Sequence, residues 1–363
     1  MNIGFVGLGA VVETAWLPAL QRLSLPVSTL WGYDLNAQRT LPGVARCDSL
    51  AALLAKPIDT LCITTASLQH LSVLEAALST PIPRIVVEKP VVATLGQIQH
   101  LRTLLSPAEQ ASRVLALDHW MARDGALCLA QGKMDKRWLA EDQAELTAPP
   151  VTTLDDIVGI EGFLLEPSGF NAAGEPIALN FATGEPDTRQ FRHPDGVIVD
   201  VGTHVLAMMR ETVRYLGGND TLQLKVLQAK DRLGRPIAIG DTQTAEGEAH
   251  LQGTLGGLPV NLWLNKYAGP GVERKGIRLH LRDGRMISQN RGPGGERVEL
   301  ISGEGTMRWT RKGAVYAHCL GEHIFGANSL FARAPAEVAR LTQRRIAEVE
   351  ALLQLQQQLR GAH

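Results

Sequence analysis

Short apolar runs alternate with amphipathic stretches through the first 120 residues. Runs at 2–6, 28–33, 59–64, 84–88 and 114–118 predict strands, and segments near 10–23, 48–55, 69–79 and 94–105 predict helices. Such alternation predicts a parallel sheet with helices on both faces. Near 123–156 the pattern loosens into a charged, proline-containing connection that includes Ala148-Pro149-Pro150. A strand at 158–165 leads into a Gly/Pro/Asn-rich loop from Ser168 to Pro194, long enough to be a functional or mobile segment that closes over a substrate. A helix follows at 197–216. From 221 to 312 the pattern becomes antiparallel: Leu222-Gln223-Leu224-Lys225-Val226 alternates, as do 244–254, 258–266 and 276–282, and Asp283-Gly284 before Met286-Ile287 marks a hairpin. One face of that sheet is expected to cover helices, leaving the other to pair with a second subunit. The end, 336–359, is helical, with Val338, Leu341, Ile346, Val349, Leu352, Leu353 and Leu355 near helical spacing.

The expected class is α/β in two domains. Residues 1–122 carry the parallel sheet, and 123–363 form an α+β domain on a large, mainly antiparallel sheet, with the C-terminal helix free to pack back on the first domain. A chain of 363 residues is long enough for two cores. Lys plus Arg (36) nearly cancels Asp plus Glu (37), which removes any general attraction to nucleic acid or anionic membrane. No run of 18 apolar residues is present, and the N-terminus enters a strand at once without an export signal. Cys47, Cys62, Cys128 and Cys319 are scattered without CxxC spacing and suggest reduced thiols. A soluble, cytoplasmic protein is expected.

Candidate chemistry collects at predicted strand ends, where parallel sheets place ligands. Ile3-Gly4-Phe5-Val6 runs into Gly7-Leu8-Gly9, followed by Ala10, Val11 and Val12, a glycine turn opening a helix whose N-terminus suits a pyrophosphate. Val12 replaces the usual third glycine, and Pro18 should kink the helix. Asp34, 25 residues after Gly9, closes the second strand, where an acid binds ribose hydroxyls and repels a 2′-phosphate. That favours NAD, with NADP admitted if Arg39 turns inward; the alternative for Asp34 is a turn or capping residue. Thr65 and His70 flank the loop after the third strand, near the cofactor or as helix caps.

Glu88-Lys89-Pro90 ends the strand at 84–88, and proline fixes the backbone exit so that Lys89 is aimed. Asp200-Val201-Gly202-Thr203-His204 opens a helix with Asp200 and His204 on one face, an acid able to orient a basic imidazole. Asp118-His119-Trp120, with Arg123-Asp124 beyond, could bind hydroxyls or an anion at another strand end, or form a polar turn. His318-Cys319 with His323 lacks a completing ligand pair, so a packing face is expected and no metal.

In this order, Gly7-Leu8-Gly9 with Leu17-Pro18-Ala19-Leu20, Asp34, Thr65 to His70, Glu88-Lys89-Pro90 and Asp200 to His204 resemble the Gfo/Idh/MocA family of glucose–fructose oxidoreductase, inositol dehydrogenase and relatives. The resemblance implies an N-terminal Rossmann domain for NAD or NADP, and a C-terminal domain on an open sheet that holds substrate and mediates homodimers or homotetramers. It implies that Lys89 positions substrate and relays a proton, His204 is the acid/base, and Asp200 orients. The segment from Asp118 to Asp124 also resembles the DHYLGKE segment of glucose-6-phosphate dehydrogenases, with Arg123 at the lysine position. The family pattern is departed from at Gly196-Val197, which lacks a glycine pair, and at Ala207, often acidic.

The expected catalytic set is Lys89, Asp200 and His204. Cofactor contacts are expected at Gly7, Gly9, Ala10, Val11, Asp34, Thr65, His70, Glu88 and Lys89. Substrate contacts are expected at Lys89, Asp118, His119, Arg123, Asp200 and His204. The expected activity is hydride transfer between nicotinamide and a secondary alcohol or ketone of a sugar, sugar phosphate or cyclitol. A non-catalytic nucleotide/sugar sensor and a reductase of another unsaturated substrate are the alternatives.

Overall fold

The computed structural model describes all residues except 123–124, 142–144, 178, 181–184, 187–195, 242–243, 270, 293, 327–328 and 362–363. The chain forms two compact units: Met1–His119 with Tyr316–Glu350, and Trp120–Val315 with Ala351–His363.

The first unit is built on six parallel strands: β1 (Asn2–Val6), β2 (Thr29–Tyr33), β3 (Ala45–Arg46), β4 (Thr60–Ile63), β5 (Ile85–Val87) and β6 (Val114–Ala116), in the order β3-β2-β1-β4-β5-β6. β4, β5 and β6 are buried at every residue, as strands covered on both faces must be, which is why they read as unbroken apolar runs. The chain leaves β1 towards β2 and β3, then returns on the other side of β1 at β4. The switch point therefore lies between β1 and β4, where such sheets open a crevice. Gly7 leaves β1 there with φ of +92°, and a Cβ on it would stand 2.7 Å from the Thr64 carbonyl oxygen.

The helix expected at 10–23 is not uniform. Val12–Trp16 is π-helical and Leu17–Leu23 α-helical. Pro18 has no N–H to give and its ring excludes the carbonyl one turn back, so the chain widens by a residue before it, with the Leu17 amide reaching the Val12 carbonyl. At the far edge of the sheet the Thr342 hydroxyl accepts from the Ala116 amide (3.0 Å) and donates to the Val114 carbonyl (2.7 Å). Thr342 belongs to the helix Pro335–Leu359, which thus covers an otherwise open strand edge.

The second unit carries a nine-stranded sheet. Its strands are β7 (Leu139–Ala140), β8 (Ile157–Leu165), β11 (Leu222–Lys230), β12 (Glu248–Leu255), β13 (Leu258–Asn265), β14 (Arg274–Leu281), β15 (Met286–Gly292), β16 (Gly295–Ser302) and β17 (Gly305–Lys312). β9 (Leu179–Asn180) and β10 (Glu185–Pro186) pair separately. The order is β11-β12-β13-β8-β14-β15-β16-β17-β7, antiparallel throughout except for the parallel pair β13/β8. The carboxyl ends of β8 and β13 therefore lie side by side. Helix Gly202–Tyr215 packs on one face, closely enough that a Cβ on Gly162 would stand 2.2 Å from Val205. The helix expected over 197–216 is interrupted at Val201 (φ −114°, ψ −17°), leaving Val197–Asp200 and Gly202–Tyr215. Across the break the Thr203 hydroxyl turns back to the Asp200 carbonyl at 3.4 Å.

Candidate active site

In the first unit the glycine turn is braced by Asp34. Its Oδ2 accepts from the Leu8 amide (2.7 Å) and its Oδ1 from the Asn36 amide (2.8 Å), tying the end of β2 to the turn. Each oxygen keeps a second lone pair for a ligand. Arg39 is engaged elsewhere: its Nε donates to the Leu8 carbonyl (2.6 Å) and its Nη2 pairs with Glu13 (2.7 Å). Beyond its chain neighbours, no atom of the described residues comes within 4 Å of where a Cβ on Gly9 would stand, so space opens beside the turn. Ala10 and Val11 begin the helix that follows.

Across the switch point, Thr64 donates to the Gly7 carbonyl at 2.7 Å, while the Thr65 hydroxyl is buried with no hydrogen-bond partner among the described residues. His70 fastens two loops. Its Nε2 lies 2.9 Å from the Thr65 carbonyl oxygen and its Nδ1 2.9 Å from that of Pro90. Burial holds this imidazole below its ordinary pKa, and a neutral ring has one N–H, so one of the two contacts is a hydrogen bond at a time. The Glu88 carboxylate is buried and accepts from the Trp16 indole N–H (2.9 Å), the Tyr316 hydroxyl and the Lys89 amide (3.2 Å). Lys89 follows it, half-buried, and joins Pro90 through a cis peptide bond. Asp118 is buried with its carbonyl 3.8 Å from the Cys319 thiol, and the His119 ring rests on Tyr316 at 4.8 Å. Cys319 itself is buried on the helix Val315–His323.

In the second unit, Asp200 is buried and paired with the Lys266 ammonium at 2.5 Å. His204 is buried and stacks on Trp120, the ring centroids 5.6 Å apart and 21° from parallel. The Arg291 guanidinium lies 5.1 Å from the same indole. Asp200 and His204 thus occupy consecutive helical pieces, each held by a different partner. Arg123 lies outside the described residues.

Two groups escape sequence inspection. Lys266 follows an alternating strand, and its signal was available: a charged residue at the strand's carboxyl end, beside that of β8. Tyr316 gave none, since 228 residues separate it from Glu88.

Residues 1–119 match the family model described as oxidoreductase family, NAD-binding Rossmann fold, GFO_IDH_MocA. No curated protein sequence matches the chain. Among solved structures, KijD10, a 3-ketoreductase from Actinomadura kijaniata in complex with NADP and TDP-benzene, has a TM-score of 0.64 at 16% identity, over 97% of this chain and 96% of that one. UDP-N-acetylglucosamine 3-dehydrogenase GnnA from Acidithiobacillus ferrooxidans scores 0.60 at 17% identity, over 98% and 96%. An oxidoreductase from Thermotoga maritima scores 0.61 at 16%, over 97% and 95%. At these identities the likeness is one of fold, and it extends through both units. The family-model match covers the parallel sheet of the first unit, and its description names NAD. The first unit fits that dinucleotide: Gly9 leaves open space at the turn, and the unpartnered Thr65 hydroxyl sits at the facing strand end.

Proposed function

We propose that this protein is an NAD-dependent oxidoreductase that interconverts a secondary alcohol and a ketone on a sugar, sugar phosphate, sugar nucleotide or cyclitol. The observation that carries the proposal is the juxtaposition, in one Rossmann unit, of an open glycine turn at the switch point and a lysine at the end of β5. The nicotinamide supplies the hydride chemistry when bound. The chain's own residues supply placement and proton transfer. Lys89 stabilises the negative charge that develops on the substrate oxygen. His204 takes the hydroxyl proton in oxidation and returns it in reduction. Asp200, paired with Lys266, orients the substrate, while Asp118, His119 and Arg123 hold its remaining hydroxyls or an anionic group. Sugar nucleotides enter the substrate set because KijD10 and GnnA handle a TDP ligand and a UDP-sugar.

Absorbance at 340 nm with a panel of polyols, sugar phosphates and sugar nucleotides tests this. No change with any member, in either direction, would sink it. NAD is expected to bind about five- to tenfold more tightly than NADP, since the Asp34 carboxylate faces a 2′-phosphate across water-like dielectric and Glu13 holds Arg39. Asp34→Ala should narrow that gap mainly by weakening NAD. Tighter binding of NADP by the unaltered protein would reject the assignment.

The same reading includes a homo-oligomer formed through the face of the second sheet on which its unit lays no described helix. That face carries a ladder across four strands. His250 stacks on Trp263 (4.8 Å), Trp263 on Phe163 (5.0 Å), and Arg274 lies over Phe163 (4.0 Å). Burial depresses the Arg274 guanidinium to a pKa of about 10. Aromatic and arginine side chains of this kind are what interfaces enrich. Light scattering that returns a 39.3 kDa monomer at micromolar concentration would remove the interface.

A further inference from the structure

We propose that Tyr316 and Trp16 are positioning residues for Lys89, acting through the buried carboxylate of Glu88; this rests on Lys89 belonging to the active site. Glu88 gathers donors from three remote places. Trp16 ends the π-helical turn that follows the glycine loop, Tyr316 lies in helix Val315–His323, and the third donor is the Lys89 amide itself. Aromatic rings close round them: Phe5, Tyr316 and Phe325 meet Trp16 edge-on at 5.7, 5.9 and 6.5 Å. A carboxylate in such a box has no water to turn towards, so its orientation is set by its donors. Those donors connect the nucleotide turn at one end to the lysine at the other.

Burial pushes the Glu88 carboxyl up, and the Tyr316 and Trp16 bonds, the Lys89 amide and the Lys89 charge pull it back. Burial also holds the Tyr316 phenol well above its usual range, so it remains a donor. The other titratable groups facing the pair are Cys62, Cys319 and His119, the last through its ring contact. Removing the hydroxyl donor therefore raises the pH at which Glu88 protonates.

Two measurements test the relay, and neither requires turnover. The first follows the indole N–H signal of Trp16, one of six tryptophans, identified by its loss in Trp16→Phe. Its pH titration reports Glu88, and Tyr316→Phe should move the midpoint up by about one unit, the scale of a lost bond to a charge. The second is competitive labelling of lysines with acetic anhydride, read by mass spectrometry. Lys89 reactivity should change at least about threefold in Tyr316→Phe and in Glu88→Gln, the equivalent of half a pKa unit, while exposed Lys136 stays constant. Should Tyr316→Phe fail to fold, Glu88→Gln carries the labelling expectation. An unmoved Trp16 titration in Tyr316→Phe, or unchanged Lys89 labelling in the folded variants, overturns the inference. If Lys89→Ala instead keeps full turnover, the catalytic role of Lys89 falls while the relay itself stands.

Discussion

Lys89→Ala and His204→Ala should each lower kcat by about a hundredfold or more, the usual scale for a positioned proton-transfer group. In the proposed reaction Lys89 supplies charge to the substrate oxygen and His204 accepts its proton. Because both serve one step, the double variant should fall well short of the product of the single losses. NAD affinity should change little in either, since neither residue is assigned to the phosphates or the adenosine. Asp200→Asn should weaken both substrate binding and turnover, because it loses the charge that pairs with Lys266. Retained turnover in His204→Ala would pass the base role to another group, His119 first. Unchanged turnover in all three variants would leave a nucleotide-binding sensor as the better account.

The centre of the parallel sheet was legible because β4, β5 and β6 are buried at every residue and so appear as dense apolar runs. β3 was not, since two residues, Ala45-Arg46, carry no periodicity. Pro18 announced a disturbance, but its form depended on how the preceding turn could absorb a missing N–H, and a π-helical turn is not a pattern of side chains. The last strands, β16 and β17, fell within a stretch already expected to be antiparallel, though their bounds were unmarked.

The site divides in the same way. Lys89, Asp200 and His204 stand in local motifs, where proline, glycine and helical spacing limit the backbone. Their partners do not. Lys266 reaches Asp200 across 66 positions, and Trp120 reaches His204 across 84. Such pairs are set by which strand ends and helices the tertiary fold brings together, and a single sequence records them only as scattered polar or aromatic residues.

Glu296→Gln should cost the second unit about 3–5 kcal/mol, the scale for breaking a buried ion pair and leaving charge uncompensated. Glu296 is paired in register with Arg291 on β15 and Arg311 on β17, so three charged side chains lie across three adjacent strands on the buried face. Its Oε1 accepts from Arg291 Nε (3.0 Å) and Gln289 (2.8 Å), and its Oε2 from Arg311 Nε (2.8 Å). The amide keeps the shape of the carboxylate but faces two buried guanidinium groups without charge. Urea unfolding followed by circular dichroism measures the loss, and an unchanged midpoint would mean that other groups already neutralise the arginines. Replacing all three charges together, Arg291→Met with Glu296→Leu and Arg311→Met, should restore most of the stability, because the desolvation cost leaves with the charges. Turnover in this triple variant should nevertheless be low. Arg291 lies over Trp120, and Trp120 stacks on His204, so a stable apolar core in this place would hold the fold while releasing the ring against which the proposed base is set.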